Sequence, residues 1–182
     1  MIYAAVLHSR GKPWREALER IGLRSTLSRY YAWALGMFVV TGGLAVWAMR
    51  NIPEEVLSSP NVTVSQYESL SLSAGTVLLV LLLETFYVAL GEELFFRGLL
   101  GGVLFRRLGF ALGNVLQTTL FLLPHLPLLL VSFGLWRLVL VQLMVGWLLG
   151  WLRFKSGSIL PGWIAHALAN VLGALALLFR GS

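Results

Sequence analysis

The sequence predicts an all-α fold: a polytopic integral membrane bundle of about five transmembrane helices, with a cytoplasmic segment at its N-terminus. Two observations carry this prediction. Hydrophobic residues make up 58% of the 182-residue chain and charged residues only 12%, and the mean hydropathy is +0.81. This composition excludes a disordered chain and argues against a soluble domain. The apolar residues also fall into runs of roughly 20, which is the length that crosses the hydrocarbon core of a bilayer.

Each predicted span is an apolar run bounded by charges or turn residues. The runs are Tyr30 to Met49, Ser71 to Gly91, Leu108 to Trp136, Leu138 to Leu152 and Ser156 to Phe179. The second run carries Glu84, which has no predicted partner and is read as either structural or pore-facing. The third run is long and contains two prolines beside its histidine, so it is predicted to be a span followed by a turn.

The positive charges predict the orientation. Residues 1–29 are read as a basic cytoplasmic segment and residues 30–182 as the helical domain, because basic residues precede the first span and cytoplasmic loops are rich in Lys and Arg. Alternation of the spans then places Arg106 and Arg153 on the same side as the N-terminus. The net charge of +6 is therefore attributed to membrane topology. We expect membrane lipids as partners, no nucleic acid, and a prokaryotic plasma membrane as the location.

The chain contains no cysteine. Disulfides, thiolate nucleophiles and cysteine-based zinc or iron–sulfur sites are therefore excluded.

Ionisable residues interrupt the later apolar runs. An ionisable side chain inside a membrane helix costs at least about 2.5 kcal/mol on insertion scales, so each one is a candidate functional residue. The candidates are Glu92, Glu93, Arg97, His125 and His166, joined by the polar Asn170.

Helical spacing separates the two adjacent glutamates. Glu93 and Arg97 are four residues apart and share a helix face, which suits an ion pair. Glu92 points about 100° away, toward a different neighbour. The alternative reading is a purely structural Glu93–Arg97 pair with Glu92 facing cytoplasmic water, but it leaves the two histidines without a role.

A helical hairpin predicts the relative depths of the candidate residues in the membrane. If Arg106 to Gly109 is a tight turn between antiparallel helices, Glu92 and His125 lie level with each other. Asn170 lies one turn deeper than His166 on the same face. If the hairpin protrudes from the membrane by about 13 Å, at 1.5 Å per residue, these four side chains meet in one layer below the cytoplasmic surface.

Such a set of side chains fits amide hydrolysis. A carboxylate beside an imidazole can hold and deprotonate a water, and an imidazole with a carboxamide can present N–H donors to an oxyanion. The alternative is a divalent metal such as zinc, held by Glu92, His125 and His166. The spacing is not His-Glu-x-x-His and no supporting partner can be named, so the expectation is that no cofactor is needed.

Three motifs in this region resemble one family. Glu92-Glu93-Leu-Phe-Phe-Arg97 resembles the E-E-x-x-x-R motif of the CAAX protease and bacteriocin-processing family, also called CPBP or Abi. Phe121-Leu-Leu-Pro-His125 is similar to its F-x-x-x-H motif, and His166-Ala-Leu-Ala-Asn170 to its H-x-x-x-N motif. All three occur in the family's order.

The resemblance implies a polytopic, glutamate-dependent intramembrane endopeptidase. It implies that Glu92 is the general base, that His125 helps to hold the attacking water, and that His166 and Asn170 stabilise the oxyanion. Glu93 and Arg97 would support them. The implied substrate is a peptide or membrane protein, lipidated or not, while the oligomeric state stays open.

Two other classes compete with this reading. A non-catalytic membrane scaffold or bacteriocin self-immunity protein would keep the same fold and act by binding a partner. A small proton-linked transporter could use buried Glu and His as a relay, but the chain lacks the paired broken helices or repeated halves of that class.

Overall fold

The computed structural model describes residues 2–57, 67 and 70–180, and within these ranges it contains helices and no β-strand. The α-helices are α1 (Ile2–Ser9), α2 (Trp14–Arg20), α3 (Ser28–Arg50), α4 (Glu54–Leu57), α5 (Ala74–Leu82), α6 (Leu90–Glu92), α7 (Gly102–Leu122), α8 (Leu128–Val131), α9 (Trp136–Ser156) and α10 (Leu160–Leu178). Two π-helical segments, π1 (Leu83–Ala89) and π2 (Glu93–Gly101), lie on either side of α6. The predicted all-α class is confirmed.

Four helical stretches are long and apolar enough to cross a membrane. They are Ser28–Arg50, Ala74–Val131, Phe133–Ser156 and Leu160–Leu178. The second stretch is 58 residues long and turns at Gly109, so it contributes two antiparallel arms. The polytopic membrane fold is therefore confirmed, and the expected number of about five spans is approximate.

The turn between the two arms depends on a glycine. Gly109 has φ +72°, a backbone conformation that residues with a side chain rarely adopt. Across the turn, a Cβ on Gly113 would lie 3.1 Å from the carbonyl carbon of Leu104, and the rings of Phe96 and Phe121 are 5.1 Å apart. Both pairs are centred on the predicted midpoint, between residues 108 and 109.

The first arm is longer than the sequence suggested. The second apolar run was expected to end at Gly91, but the helix continues through π2 and α7 as far as the turn. The charged residues from Glu92 to Arg97 therefore lie within a continuous helical arm. They can stay helical because they pair with each other and with α10, as described below.

The last helix, α10, lies at the centre of the bundle. It packs against α3 and π1, and small residues allow the close approach. A Cβ on Gly173 would lie 3.6 Å from Met49 Cε, and one on Gly42 would lie 3.3 Å from Leu172 Cδ2. His166 and Asn170 project from this central helix.

The N-terminal segment is joined to the helical domain. Ile159 N–H donates to the Gly22 carbonyl at 2.9 Å, and Thr26 Oγ1 donates to the Ser156 carbonyl at 2.9 Å. The buried Ala17 and Ile21 of this segment pack beside Leu94 of π2. The division at residue 29 stays a prediction, and its outer limits, residues 1 and 182, lie outside the described ranges.

Candidate active site

Two adjacent glutamates stand where π-helical backbone borders a short α-helical turn. Glu92 ends α6 and Glu93 begins π2. A π-helical turn inserts an extra residue, and such insertions are frequent at functional sites. The indole N–H of Trp163 on α10 donates to the Thr85 carbonyl of π1 at 2.7 Å, which fixes this region against the central helix.

His166 lies between the two carboxylates. Its Nδ1 is 3.0 Å from Glu93 Oε1, and its Nε2 is 3.6 Å from Glu92 Oε2. The His166 and Glu93 side chains are 2% and 1% exposed, whereas 27% of the Glu92 side chain is exposed. Glu92 is therefore the carboxylate of this cluster that water can reach.

Arg97 completes the cluster and lies on the same helical arm as the two glutamates. Its Nη1 is 3.0 Å from Glu93 Oε1, which confirms the expected ion pair, and both side chains are buried. Its Nη2 donates to the Val145 carbonyl of α9 at 3.3 Å, and its guanidinium carbon lies 4.0 Å from the centre of the Phe121 ring. A buried charge of this kind needs its counter-charge, so Glu93 is committed to Arg97.

Glu93 also faces the start of α10. A Cβ on Gly162 would lie 3.3 Å from Glu93 Oε2, so the carboxylate rests against the first turn of that helix. The N-terminal end of a helix favours negative charge. Oε2 is buried and has no hydrogen-bond partner among the described residues.

The ring of Phe121 contacts both His125 and His166 and so connects His125 to the cluster. The Phe121 ring is 5.0 Å from the His125 ring and 6.2 Å from the His166 ring, measured between centroids. Nδ1 of His125 is 2.8 Å from the Phe121 carbonyl. A carbonyl only accepts hydrogen bonds, so Nδ1 is the donor and Nε2 is left for another partner.

Asn170 lies one turn beyond His166, on the wall of a cavity of about 170 Å³. Its side chain makes no hydrogen bond with a described residue, so the amide stays available. The cavity also contains Glu84, which accepts a short hydrogen bond from the Tyr67 hydroxyl. Burial and this bond raise the pKa of Tyr67 above its usual value. Glu84 thus lines a cavity and is hydrogen-bonded there.

The cavity adjoins the cluster. Val145 lines it and supplies the carbonyl that Arg97 binds. Gln142 also lines it, with a buried Oε1 that has no partner among the described residues. The cavity wall therefore presents four polar side chains to an otherwise apolar space: Tyr67, Glu84, Gln142 and Asn170.

A metal fits these side chains poorly. Within the described ranges, no group of three or more His and acidic side chains is arranged to hold a metal ion. Of the alternative ligand set Glu92, His125 and His166, only Glu92 and His166 lie within ion-pair distance of each other. The guanidinium of Arg97 inside the cluster also disfavours a cation beside Glu93.

The fold and the cluster define a polytopic membrane protein whose buried imidazole is held between two acids. Residues 74–172 match the family described as type II CAAX prenyl endopeptidase Rce1-like. This match covers more than half of the chain and includes every residue of the cluster, so the chain belongs to that family of membrane endopeptidases. No curated protein and no solved structure matches the chain significantly.

Three residues that contact these side chains were not predicted to belong to the site. Phe121 was noted only as the first residue of the F-x-x-x-H motif, but its ring contacts both histidines and Arg97. Gly162 and Tyr67 were not singled out at all. Gly162 precedes His166 by one turn, so a small residue at that spacing was the available signal for a side chain lying against α10.

Proposed function

We propose that the chain is an intramembrane endopeptidase in which a water activated by Glu92 attacks a peptide bond near the cytoplasmic membrane face. The observation that supports this most directly is the position of His166, with Glu93 at Nδ1 and Glu92 beside Nε2. Family membership supports the general class. The roles of single residues are the proposal.

Glu92 is the proposed general base because it differs from Glu93 in access and in pairing. Glu93 is buried and bound to Arg97, so taking a proton would leave the buried guanidinium without a counter-charge. Glu92 is partly exposed, and no Lys or Arg of the described residues forms an ion pair with it. It can take a proton from water and pass it to the leaving amine, while the water oxygen bonds to the carbonyl carbon.

His166 is proposed to act at the carbonyl oxygen. Glu93 accepts hydrogen bonds and so holds a proton on Nδ1, which directs Nε2 toward Glu92 and the substrate. Donation to an oxyanion then requires a second proton, on Nε2, so the doubly protonated ring is the form proposed to act. Asn170, one turn deeper with a free amide, is the proposed second donor.

His125 is proposed to help Glu92 to hold the water. The contact between Phe96 and Phe121 across the hairpin supports the prediction that Glu92 and His125 lie at the same height, and Nε2 of His125, which the Nδ1 bond leaves unprotonated, can accept a hydrogen bond. The proposed steps use protein groups and water, so we propose that the reaction needs no metal.

We also propose that the N-terminus and the hairpin turn face the cytoplasm of a prokaryotic cell. The supporting feature is charge, because Arg24, Arg106 and Arg153 lie at one end of the bundle. The substrate is a peptide or membrane protein that reaches the cluster from that end.

Cleavage by purified protein in liposomes tests the proposal. The substrate pool is a set of membrane-inserted peptides, and new termini are identified by mass spectrometry. Glu92→Gln should abolish cleavage while the fold is retained. Glu84→Gln is the matched control, because it removes another acid from the same helical arm, and it should keep cleavage.

Two results would contradict the proposal. Cleavage that persists in Glu92→Gln would remove the general base. A wild-type protein that cleaves nothing, yet captures a membrane partner equally well with and without Glu92, would favour a non-catalytic scaffold or immunity protein.

A further inference from the structure

A second group of charges lies at the end of the bundle near the hairpin turn, apart from the glutamate–histidine cluster. It surrounds a pocket of about 210 Å³ lined by Gly102, Phe105, Arg106, Arg153 and Phe154. The pocket therefore combines two cations with two aromatic rings.

Arg153 is built into this pocket. Only 8% of the residue is exposed, and a Cβ on Gly22 would lie 2.7 Å from its Nε and 2.8 Å from its Cζ. Gly22 has φ +80°, so a glycine is required there both by the backbone and by the passing guanidinium. Nε has no hydrogen-bond partner among the described residues.

Arg106 brings a second guanidinium to the same place. A Cβ on Gly102 would lie 3.3 Å from Arg106 Nη1 and 3.8 Å from Arg153 Nη2, so the two groups flank one backbone position. Arg24 adds a third positive charge that also acts on Arg153. Like charges at this separation repel each other, most strongly where one of them is buried.

No carboxylate of the described residues lies within ion-pair distance of these three arginines. Glu93 acts on Arg153 electrostatically but is already paired with Arg97, and the acids of the N-terminal segment also have partners. Glu16 binds Lys12 and Arg20, which hold its pKa below the usual value. The positive charge of the pocket is therefore left for an anion from outside the chain.

An aromatic surface continues from the pocket along the bundle. The Phe154 ring is 5.6 Å from Phe105 and 5.0 Å from Phe110, and Phe110 is 6.3 Å from Trp147. Phe154 and Trp147 are exposed, on the outer side of a helix that spans the membrane. This is the arrangement that receives an amphiphile, with its charged head on the arginines and its chains along the rings.

We propose that this pocket binds the phosphate group of an anionic phospholipid. The forked guanidinium donors suit phosphate oxygens, and basic pockets between membrane helices bind lipid head groups of this kind. The aromatic surface favours a lipid over free phosphate, because free phosphate has nothing to place there. The inference requires only that the basic end lies at a membrane surface, and it does not depend on peptidase activity.

Thermal unfolding of the delipidated protein in detergent tests the site. Added phosphatidylglycerol should raise the midpoint, whereas phosphatidylcholine and inorganic phosphate should not. Arg106→Gln removes an exposed pocket cation and should weaken the apparent affinity for phosphatidylglycerol about fivefold. Arg107→Gln is the matched control, since it removes the neighbouring exposed charge that does not line the pocket, and it should bind as wild type does.

A second variant tests the contact of the lipid with the aromatic surface separately from its contact with the arginines. Phe154→Ala should weaken the effect of phosphatidylglycerol through the loss of its aromatic contact. Equal stabilisation by phosphatidylcholine, or equal weakening in Arg107→Gln, would overturn the site. An equal shift with inorganic phosphate, unaffected by Phe154→Ala, would assign the pocket to free phosphate and overturn the lipid.

Discussion

Removing the charge of Glu93 should destabilise the fold far more than removing that of Glu92. Glu93 and Arg97 are both buried, with Oε1 and Nη1 3.0 Å apart. The other contacts of Arg97 with described residues are to the Val145 carbonyl and the Phe121 ring, while Glu92 acts on it electrostatically without forming an ion pair. Glu93→Gln keeps an acceptor for His166 but leaves a buried guanidinium without its counter-charge. Breaking such a pair costs about 3–5 kcal/mol.

The assay is unfolding of the detergent-solubilised protein by SDS, followed by circular dichroism. Glu92→Gln is the control, since that side chain is 27% exposed and its contact is to a histidine, and we expect a loss below about 1 kcal/mol. The double variant Glu93→Gln/Arg97→Met removes both charges and should recover most of the stability. A Glu93→Gln protein within about 1 kcal/mol of wild type would refute the reasoning.

Three further variants test other parts of the structure. Gly109→Ala should cost about 1 kcal/mol or more in SDS unfolding because φ is +72° at the hairpin turn, whereas Gly36→Ala, in open space on a helix, should cost nothing; equal effects would contradict the turn. Gly150→Ala would place its Cβ against Asn114 Oδ1 and should cost about 1–3 kcal/mol by the same assay, and a neutral result would contradict this contact. Tyr67→Phe should be less stable than wild type at pH 7. Because the pKa of Tyr67 is raised, its contribution should be intact below pH 10 and be lost as the pH rises further, so a difference that grows at high pH would contradict the pairing.

The register of the hairpin could be predicted because it depends on little beyond the position of one turn. Two antiparallel helices of equal rise place residues level when they are equidistant from the turn. The Phe96–Phe121 contact agrees with that construction. The ion pair of Glu93 with Arg97 was predictable for a similar reason, since it lies within one rod and needs only the helical repeat.

The rotation of each helix about its own axis could not be predicted in the same way. In a membrane helix that is apolar on most faces, no amphipathic pattern fixes which side meets a neighbour. The contact of His166 with Glu93, in addition to Glu92, could therefore not be predicted from the sequence. The π-helical backbone around Glu92 was also hidden, because periodicity carries little information in such a run.

Other features were missed because their partners are distant in sequence or lie in loops. Tyr67 precedes the second span and reaches Glu84 from a segment that shows no pattern. Arg153 was read only as a topological charge, although its burial against Gly22 depends on the packing of the N-terminal segment. The convergence of Glu92, His125, His166 and Asn170 on one substrate stays a prediction.

The central claim is that Glu92 and His166 act together on one water and one peptide bond. A double-mutant cycle on the cleavage rate in liposomes tests it directly, using Glu92→Gln, His166→Gln and the double variant. Groups that act as a unit are strongly non-additive. We expect each single variant to lose at least about 100-fold in rate, and the double variant to be no slower than the slower single one. Losses that multiply in the double variant, or a single variant that cleaves at the wild-type rate, would contradict the account.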